Sequence, residues 1–217
     1  DVWVVWALQV LFESAVKDDL VFKGGTSLSK AYGVIDRFSE DVDLTYDIRA
    51  LVPDLVDARG DAIPATTSEE RRWSRRVREV LPLWVADFVQ PIIMKAIALQ
   101  GLQATIRLDG DKLFIDYPPV AKGTGYVSPS VMLEFGARST GEPASMRSIA
   151  CDAAGPVEGV NFPTAIPRVM HAERTFWEKA TALHAEAHRP PESATPQYFS
   201  RHYYDLAMLL DTEDGKA

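Results

Sequence analysis

The sequence predicts an α/β (α+β) fold: a mixed sheet flanked by helices, with a helical C-terminal part. Three observations carry this prediction. Short apolar runs of strand length, such as Leu20 to Lys23 and Ser130 to Ala137, alternate with longer segments whose apolar residues recur at helical spacing. Gly24-Gly25 stands where the first strand turns into a helix, and Asp109-Gly110 is a favoured pair for a tight hairpin. Arg189-Pro190-Pro191 then separates two helical segments at the C-terminal end.

Taken in order, Trp3 to Val16 reads as a first helix packed on the sheet, and Leu20 to Lys23 as the first strand. Thr26 or Ser27 is expected to cap a short helix through about Tyr32, and Val42 to Tyr46 is the second strand. Residues 50–65 read as a loop broken by Pro53, Gly60 and Pro64. Thr67 and Glu70 form a capping box for a helical region running towards Gln100, which Pro82 and Pro91 should kink or divide. Leu102 to Leu108 and Lys112 to Tyr117 form a hairpin, and Ser130 to Ala137 a further strand. Pro143 to Pro167 reads as irregular. His171 to His188 is a helix with Phe176, Ala180 and Leu183 as its buried stripe, extended by Trp177. Gln197 to Asp211 is the last helix, with Tyr204, Met208 and Leu209 as an apolar stripe.

Composition narrows the function classes. At 217 residues, 47% hydrophobic and 25% charged, the chain has the make-up of an ordinary globular protein. No apolar run in the sequence approaches a bilayer span, so no membrane association is expected. Cys151 is the only cysteine, which excludes an intramolecular disulfide and suggests a reducing, cytoplasmic setting. No secretory signal appears, and the immediate helical pattern after Asp1 suggests a piece of a longer chain. A net charge of −8 argues against a protein that coats nucleic acid by bulk electrostatics. It leaves room for a local basic surface. Arg71, Arg75 and Arg78 share one helix face with Arg72 and Arg76 beside it, either as a solvated face neutralised by Glu69, Glu70 and Glu79 or as a contact for phosphates.

The chemistry concentrates in Phe22-Lys23-Gly24-Gly25-Thr26-Ser27-Leu28-Ser29-Lys30 and Ser39-Glu40-Asp41-Val42-Asp43-Leu44. Strand periodicity puts Asp41 and Asp43 on one face and Val42 on the other. Adjacent carboxylates raise each other's pKa unless a cation lies between them. Mg²⁺, a hard ion that binds one or two carboxylates plus substrate phosphates, answers that arrangement, so Asp41 and Asp43 are the candidate metal ligands. The glycine turn into a helix can offer backbone N–H groups to a phosphate, which nominates Gly24, Gly25, Thr26 and Ser27, with Lys30 closing the stretch. Glu134 is an acid embedded in an apolar strand, the position expected of a third carboxylate; the bland reading is an edge glutamate facing water. No Gly-x-x-x-x-Gly-Lys-Ser/Thr order is present, which excludes a P-loop, and the histidines lack zinc-ligand spacing.

Gly-Gly-Thr-Ser-Leu-Ser-Lys followed by Asp-Arg-Phe-Ser-Glu-Asp-Val-Asp-Leu resembles the AbiEii/AbiGii toxin nucleotidyltransferases, of the polymerase-beta-like superfamily. Glu173 through Lys179, and Ser200-Arg201-His202-Tyr203-Tyr204-Asp205-Leu206, resemble that family's two later motifs. The interval from Gly25 to Asp41 is slightly longer than usual in the superfamily. The resemblance implies a nucleotidyltransferase-like sheet, with residues 1–140 as catalytic lobe and 141–217 as an irregular connector and helical lobe. It further implies an NTP as substrate, Mg²⁺ or Mn²⁺ as cofactor, tRNA 3′ ends as acceptors in some members, a cognate antitoxin partner and a role in phage defence. It also assigns catalytic roles to Lys179 and Asp205. The bland readings are a snorkelling lysine and a local Arg201–Asp205 ion pair. Two competing functions use the same parts: NMP transfer to a protein side chain, and a nucleotide-binding module without turnover.

Overall fold

The computed structural model describes residues 1–37, 41–119, 128–190, 192–196 and 199–212. Ser39 and Glu40 of the acidic motif, and Gln197, at which the sequence opens its last helix, lie outside the described residues. The fold is mixed α/β. Its main sheet has seven strands in the order β3-β4-β5-β2-β1-β9-β6. These are β1 (Leu20–Lys23), β2 (Asp41–Tyr46), β3 (Thr105–Asp109), β4 (Lys112–Asp116), β5 (Ser130–Gly136), β6 (Ala144–Met146) and β9 (Arg168–Met170). Strands β7 (Ile149–Ala150) and β8 (Thr164–Ala165) form a separate pair. The sequence leaves Pro143 to Pro167 irregular because three-residue strands carry too little alternation to register. Two strands from beyond residue 140 therefore complete the main sheet.

The register of the central strands matters most for function. Lys23 of β1 faces Asp43 of β2 across an antiparallel pair, and Asp43 faces Glu134 of β5 across a parallel pair. Glu134 in turn faces Lys112 of β4. One row across the sheet thus reads Lys, Asp, Glu, Lys. Residues in register share a face, so these four charged side chains are neighbours although they come from four strands. The intervening positions, Phe22, Leu44, Leu133 and Leu113, are fully buried and build the core on the other face.

Helix α1 (Val2–Phe12) covers that core with Val5, Leu8 and Leu11. It ends four residues before the periodicity suggests. The Ser14 hydroxyl donates to the Leu11 carbonyl at 2.7 Å and competes with the helical ladder there, so Val16 reaches the core from a turn instead. Helix α2 (Gly24–Lys30) begins directly at the glycines, with Lys23 as its N-cap. Thr26 and Ser27 are accordingly inside the first turns and cap nothing. The short α3 (Ile48–Leu51) occupies the start of the expected loop, capped by Asp47.

Helix α4 (Thr67–Trp84) carries a capping box one residue earlier than the sequence suggests. Thr66 accepts from the Glu69 N–H at 3.2 Å, and Glu69 accepts from the Ala65 N–H at 2.9 Å. The two prolines do not divide the helical run. A π-helical segment, Val85–Val89, joins α4 to α5 (Gln90–Leu99) without a break. Pro91 lacks an N–H and crowds the carbonyl of residue 87, and the wider π-turn accommodates both defects. The continuous Thr67–Leu99 run is consequently long and apolar enough to cross a membrane by length and composition, where the sequence reading finds no run of that length. Its inner face, Trp84, Val85, Val89, Ile93 and Ile97, is buried in the core of this fold.

The C-terminal helices are α6 (Ala172–Ala187) and α7 (Arg201–Leu210). Their buried faces match the apolar stripes only in part: Leu209 is buried, and Phe176 and Met208 pack against the same small core. On α6 the buried residues are Ala172, Thr175 and Lys179, while Trp177 is 68% exposed. On α7 they are Asp205 and Leu209, with Tyr204 exposed. Leu28, Ile35, Ala172 and Leu209 form a small second core that ties α2, α6 and α7 together.

Candidate active site

The strand β1, the start of α2, the start of β2 and one face each of α6 and α7 enclose a cleft of about 510 Å³. Lys23, Gly24, Gly25, Asp41, Asp43, Lys179 and Arg37 all line it. The glycines are required sterically. Gly24 adopts φ +78, and a Cβ there would lie 1.9 Å from Asp43 Oδ2; a Cβ on Gly25 would lie 2.2 Å from Arg37 Nη2. The turn therefore lets a carboxylate and a guanidinium press directly onto the backbone.

Burial raises the Asp43 carboxyl to about 6. Lys23 opposes the shift, while Glu134 and Asp41 add to it. Asp41 is also raised, by burial first and then by Glu134. These carboxylates are thus costly to ionise without a cation. Among the described residues no group of three or more His, Cys, Asp or Glu side chains is placed to hold a metal. Asp41 and Asp43 fit a divalent ion that takes its remaining oxygens from substrate phosphates and water.

Asp205, to which the resemblance gives a catalytic role, stands outside the cleft lining. Its side chain is fully buried. It accepts from Arg37 Nε at 2.8 Å and Nη2 at 2.7 Å, and its Oδ2 lies 2.7 Å from Lys179 Nζ. Burial pushes its carboxyl up, but the hydrogen bonds from Arg37 and Lys179 outweigh that and hold it below the ordinary range. Asp205 is thus a buried anion shared by two cations that line the cleft. The expected local partner Arg201 instead lines the cleft, where its charge lowers the Asp41 carboxyl.

Three other candidates are placed away from phosphate-binding positions. The Thr26 hydroxyl donates to the Asp41 carbonyl, and Ser27 donates to the Gly24 carbonyl at 2.8 Å. Both side chains are buried and brace the turn rather than face the cleft. Lys30, one helical turn further, pairs with Asp1 and Asp152 outside it. Its position at the far end of a seven-residue helix points it away from the glycines.

Glu134 lies beside Asp43 but opens into a second cleft, of about 530 Å³, that shares Lys23, Asp43 and Glu178 with the first. Lys112 Nζ is 3.1 Å from Glu134. Arg78, Arg138 and Arg174 line this second cleft. Several residues of the combined site give no warning in the sequence: Arg37, Lys23 and Glu178. Lys23 Nζ lies 2.9 Å from Glu178, a pair separated by 155 residues. Arg37 stands within the acidic motif, yet nothing in its spacing announces a partner 168 residues away.

The family model described as nucleotidyl transferase AbiEii toxin, type IV toxin–antitoxin system, matches residues 6–217. Among solved structures, MenT4, a nucleotidyltransferase toxin from Mycobacterium tuberculosis H37Rv, aligns at 22% identity with a TM-score of 0.41. The alignment covers 81% of this chain and 49% of that one, so the chain spans about half the length of that toxin. No curated protein matches.

Proposed function

Because the chain belongs to the AbiEii nucleotidyltransferase toxin family, we propose that it transfers NMP from an NTP to a nucleic-acid hydroxyl, with a tRNA 3′ end as the acceptor. The observation that carries this reading is the shared cleft of Gly24, Gly25, Asp41, Asp43, Lys179 and Arg37. Asp41 and Asp43 would hold Mg²⁺, or Mn²⁺ in its place, which when bound offsets phosphate charge and orients the α-phosphate. Lys179 and Arg37 would meet the triphosphate oxygens, and the buried carboxylate they share holds both in place. The acceptor hydroxyl attacks the α-phosphorus, the bond to the bridging oxygen breaks, and pyrophosphate leaves. Glu134, in register with Asp43 and lining the adjoining cleft, would take the hydroxyl proton.

The second cleft supports a nucleic-acid acceptor over a protein side chain. Arg78 lines both it and a groove along α4 that also contains Arg71 and Arg75. Arg72 and Arg76 are paired with Glu69 and Glu79 on the same helix. Arg71, Arg75 and Arg78 carry no ion pair among the described residues, so the face leading from the carboxylates keeps its positive charge. The cognate antitoxin enters the proposal through the family alone.

The deciding experiment incubates the protein with each α-labelled NTP, Mg²⁺, and either total tRNA or cell protein. Label on tRNA is the expected result. Label confined to protein redirects the reading to side-chain transfer, and no label under any condition leaves a nucleotide-binding module without turnover.

A further inference from the structure

The proposed phosphate chemistry uses only part of the cleft lining: the carboxylates, Lys179 and Arg37. Pro196, Phe199, His202 and Thr175 line the same cleft and take no part in it. Phe199 and His202 stand edge to face, with ring centroids 4.8 Å apart at 62°. This is a small aromatic wall in a site otherwise built of charge.

Two buried polar atoms of this group lack partners. Thr175 Oγ1 and His202 Nδ1 accept or donate no hydrogen bond among the described residues. Thr175 is 2% exposed, so its hydroxyl is cut off from bulk water as well. A buried hydroxyl without a partner is destabilising, and native folds keep few of them. Both atoms belong to residues that line the same cleft.

Their placement along the helices follows one pattern. Thr175 precedes Lys179 by four residues on α6, which sets their Cβ atoms about 5–6 Å apart on one face. His202 precedes Asp205 by three residues on α7. Each helix therefore presents an unpaired polar group one turn away from the buried Lys179–Asp205 ion pair. A ligand anchored by phosphates at Lys179 would extend its uncharged part over that turn.

We infer that the Phe199–His202 part of the cleft is the nucleoside subsite of the donor NTP, with the base against the Phe199 ring and its polar edge or sugar hydroxyls met by Thr175 Oγ1 and His202 Nδ1. This rests on the nucleotidyl-transfer reading and adds to it the groups that distinguish one NTP from another. A hydroxyl and an imidazole can each donate or accept, so together they select by hydrogen-bond pattern, while the aromatic face accepts any base.

The test measures binding of the four NTPs and of inorganic tripolyphosphate to the whole protein with Mg²⁺, for wild type, Phe199→Ala and Thr175→Val. Thr175→Val replaces an unpaired hydroxyl by a methyl of similar shape, so its thermal midpoint should hold or rise. Wild type should bind at least one NTP about tenfold more tightly than tripolyphosphate. Phe199→Ala should weaken every NTP about tenfold, and Thr175→Val should change the ratio among the NTPs several-fold. Both should leave tripolyphosphate affinity unchanged. Equal losses for NTP and tripolyphosphate, or no change for either ligand, overturn the subsite. A wild type that binds tripolyphosphate as tightly as every NTP overturns it too, while the phosphate site stands. A wild type that binds neither overturns both.

Discussion

Asp43 concentrates the energetic tension of the site. Its native carboxyl lies near 6 against 3.8 for an unperturbed aspartate, so the folded state holds that proton more firmly than the unfolded chain. The stability this supplies is complete at acid pH and is lost as pH rises from about 4 through about 6. Metal-free wild type should therefore lose stability relative to Asp43→Asn between pH 4 and 7, and Mg²⁺ should restore it. Urea midpoints at both pH values, with and without Mg²⁺, check this; Asp43→Asn should abolish transfer while keeping the native circular dichroism. Asp205 works in the opposite sense. Its stabilisation is present at neutral pH and disappears only in strong acid, as pH falls below the ordinary carboxylate range. Asp205→Ala leaves Arg37 and Lys179 facing each other without their anion and should lower unfolding stability by about 3–5 kcal/mol.

At the level of elements, the short connection from β1 into α2 decides how closely ligand and carboxylate approach. Gly24→Ala forces a left-handed backbone on an L-residue, at about 1–2 kcal/mol, and drives its Cβ into Asp43. Mg²⁺ affinity should fall with stability in that variant, as titration calorimetry and urea unfolding would record. Gly33, also at positive φ, has open space where a Cβ would go. An alanine there meets only the backbone cost and should leave Mg²⁺ affinity intact. Helices α6 and α7 show why periodicity locates their buried faces only in part. Asp205 neutralises Lys179, so a charged stripe becomes the inward one and Trp177 is left outside.

Across the whole molecule, a chain of net charge −8 keeps a groove along α4 in which Arg71, Arg75 and Arg78 outnumber Glu70. Replacing Arg71 or Arg75 by alanine should weaken acceptor binding evenly across sequences. Removing one arginine–phosphate interaction should lower the slope of log affinity against log salt by about 0.7–0.9. Filter binding of labelled tRNA over a salt series reads both quantities. An unchanged slope would place the acceptor elsewhere than along α4.

The sheet's central strands, the glycine turn and the adjacency of Asp41 and Asp43 were legible in the sequence, because each depends on neighbours within a few residues. Strand alternation alone puts the two acids on one face, and a Gly-Gly step alone announces the turn. The alignment of Glu134 with Asp43 was anticipated from its apolar strand, though its pairing with Lys112 needed the register of four strands. What the tertiary structure decided is the fate of groups whose partners lie far along the chain. Asp205 turns inward to Arg37 and Lys179, Lys30 turns outward to Asp1 and Asp152, and Thr175 and His202 are brought to one cleft. Local pattern specifies which face of an element is apolar. Where a charge ends up depends on the Coulomb partner that desolvation demands for it, and only the folded chain supplies that partner.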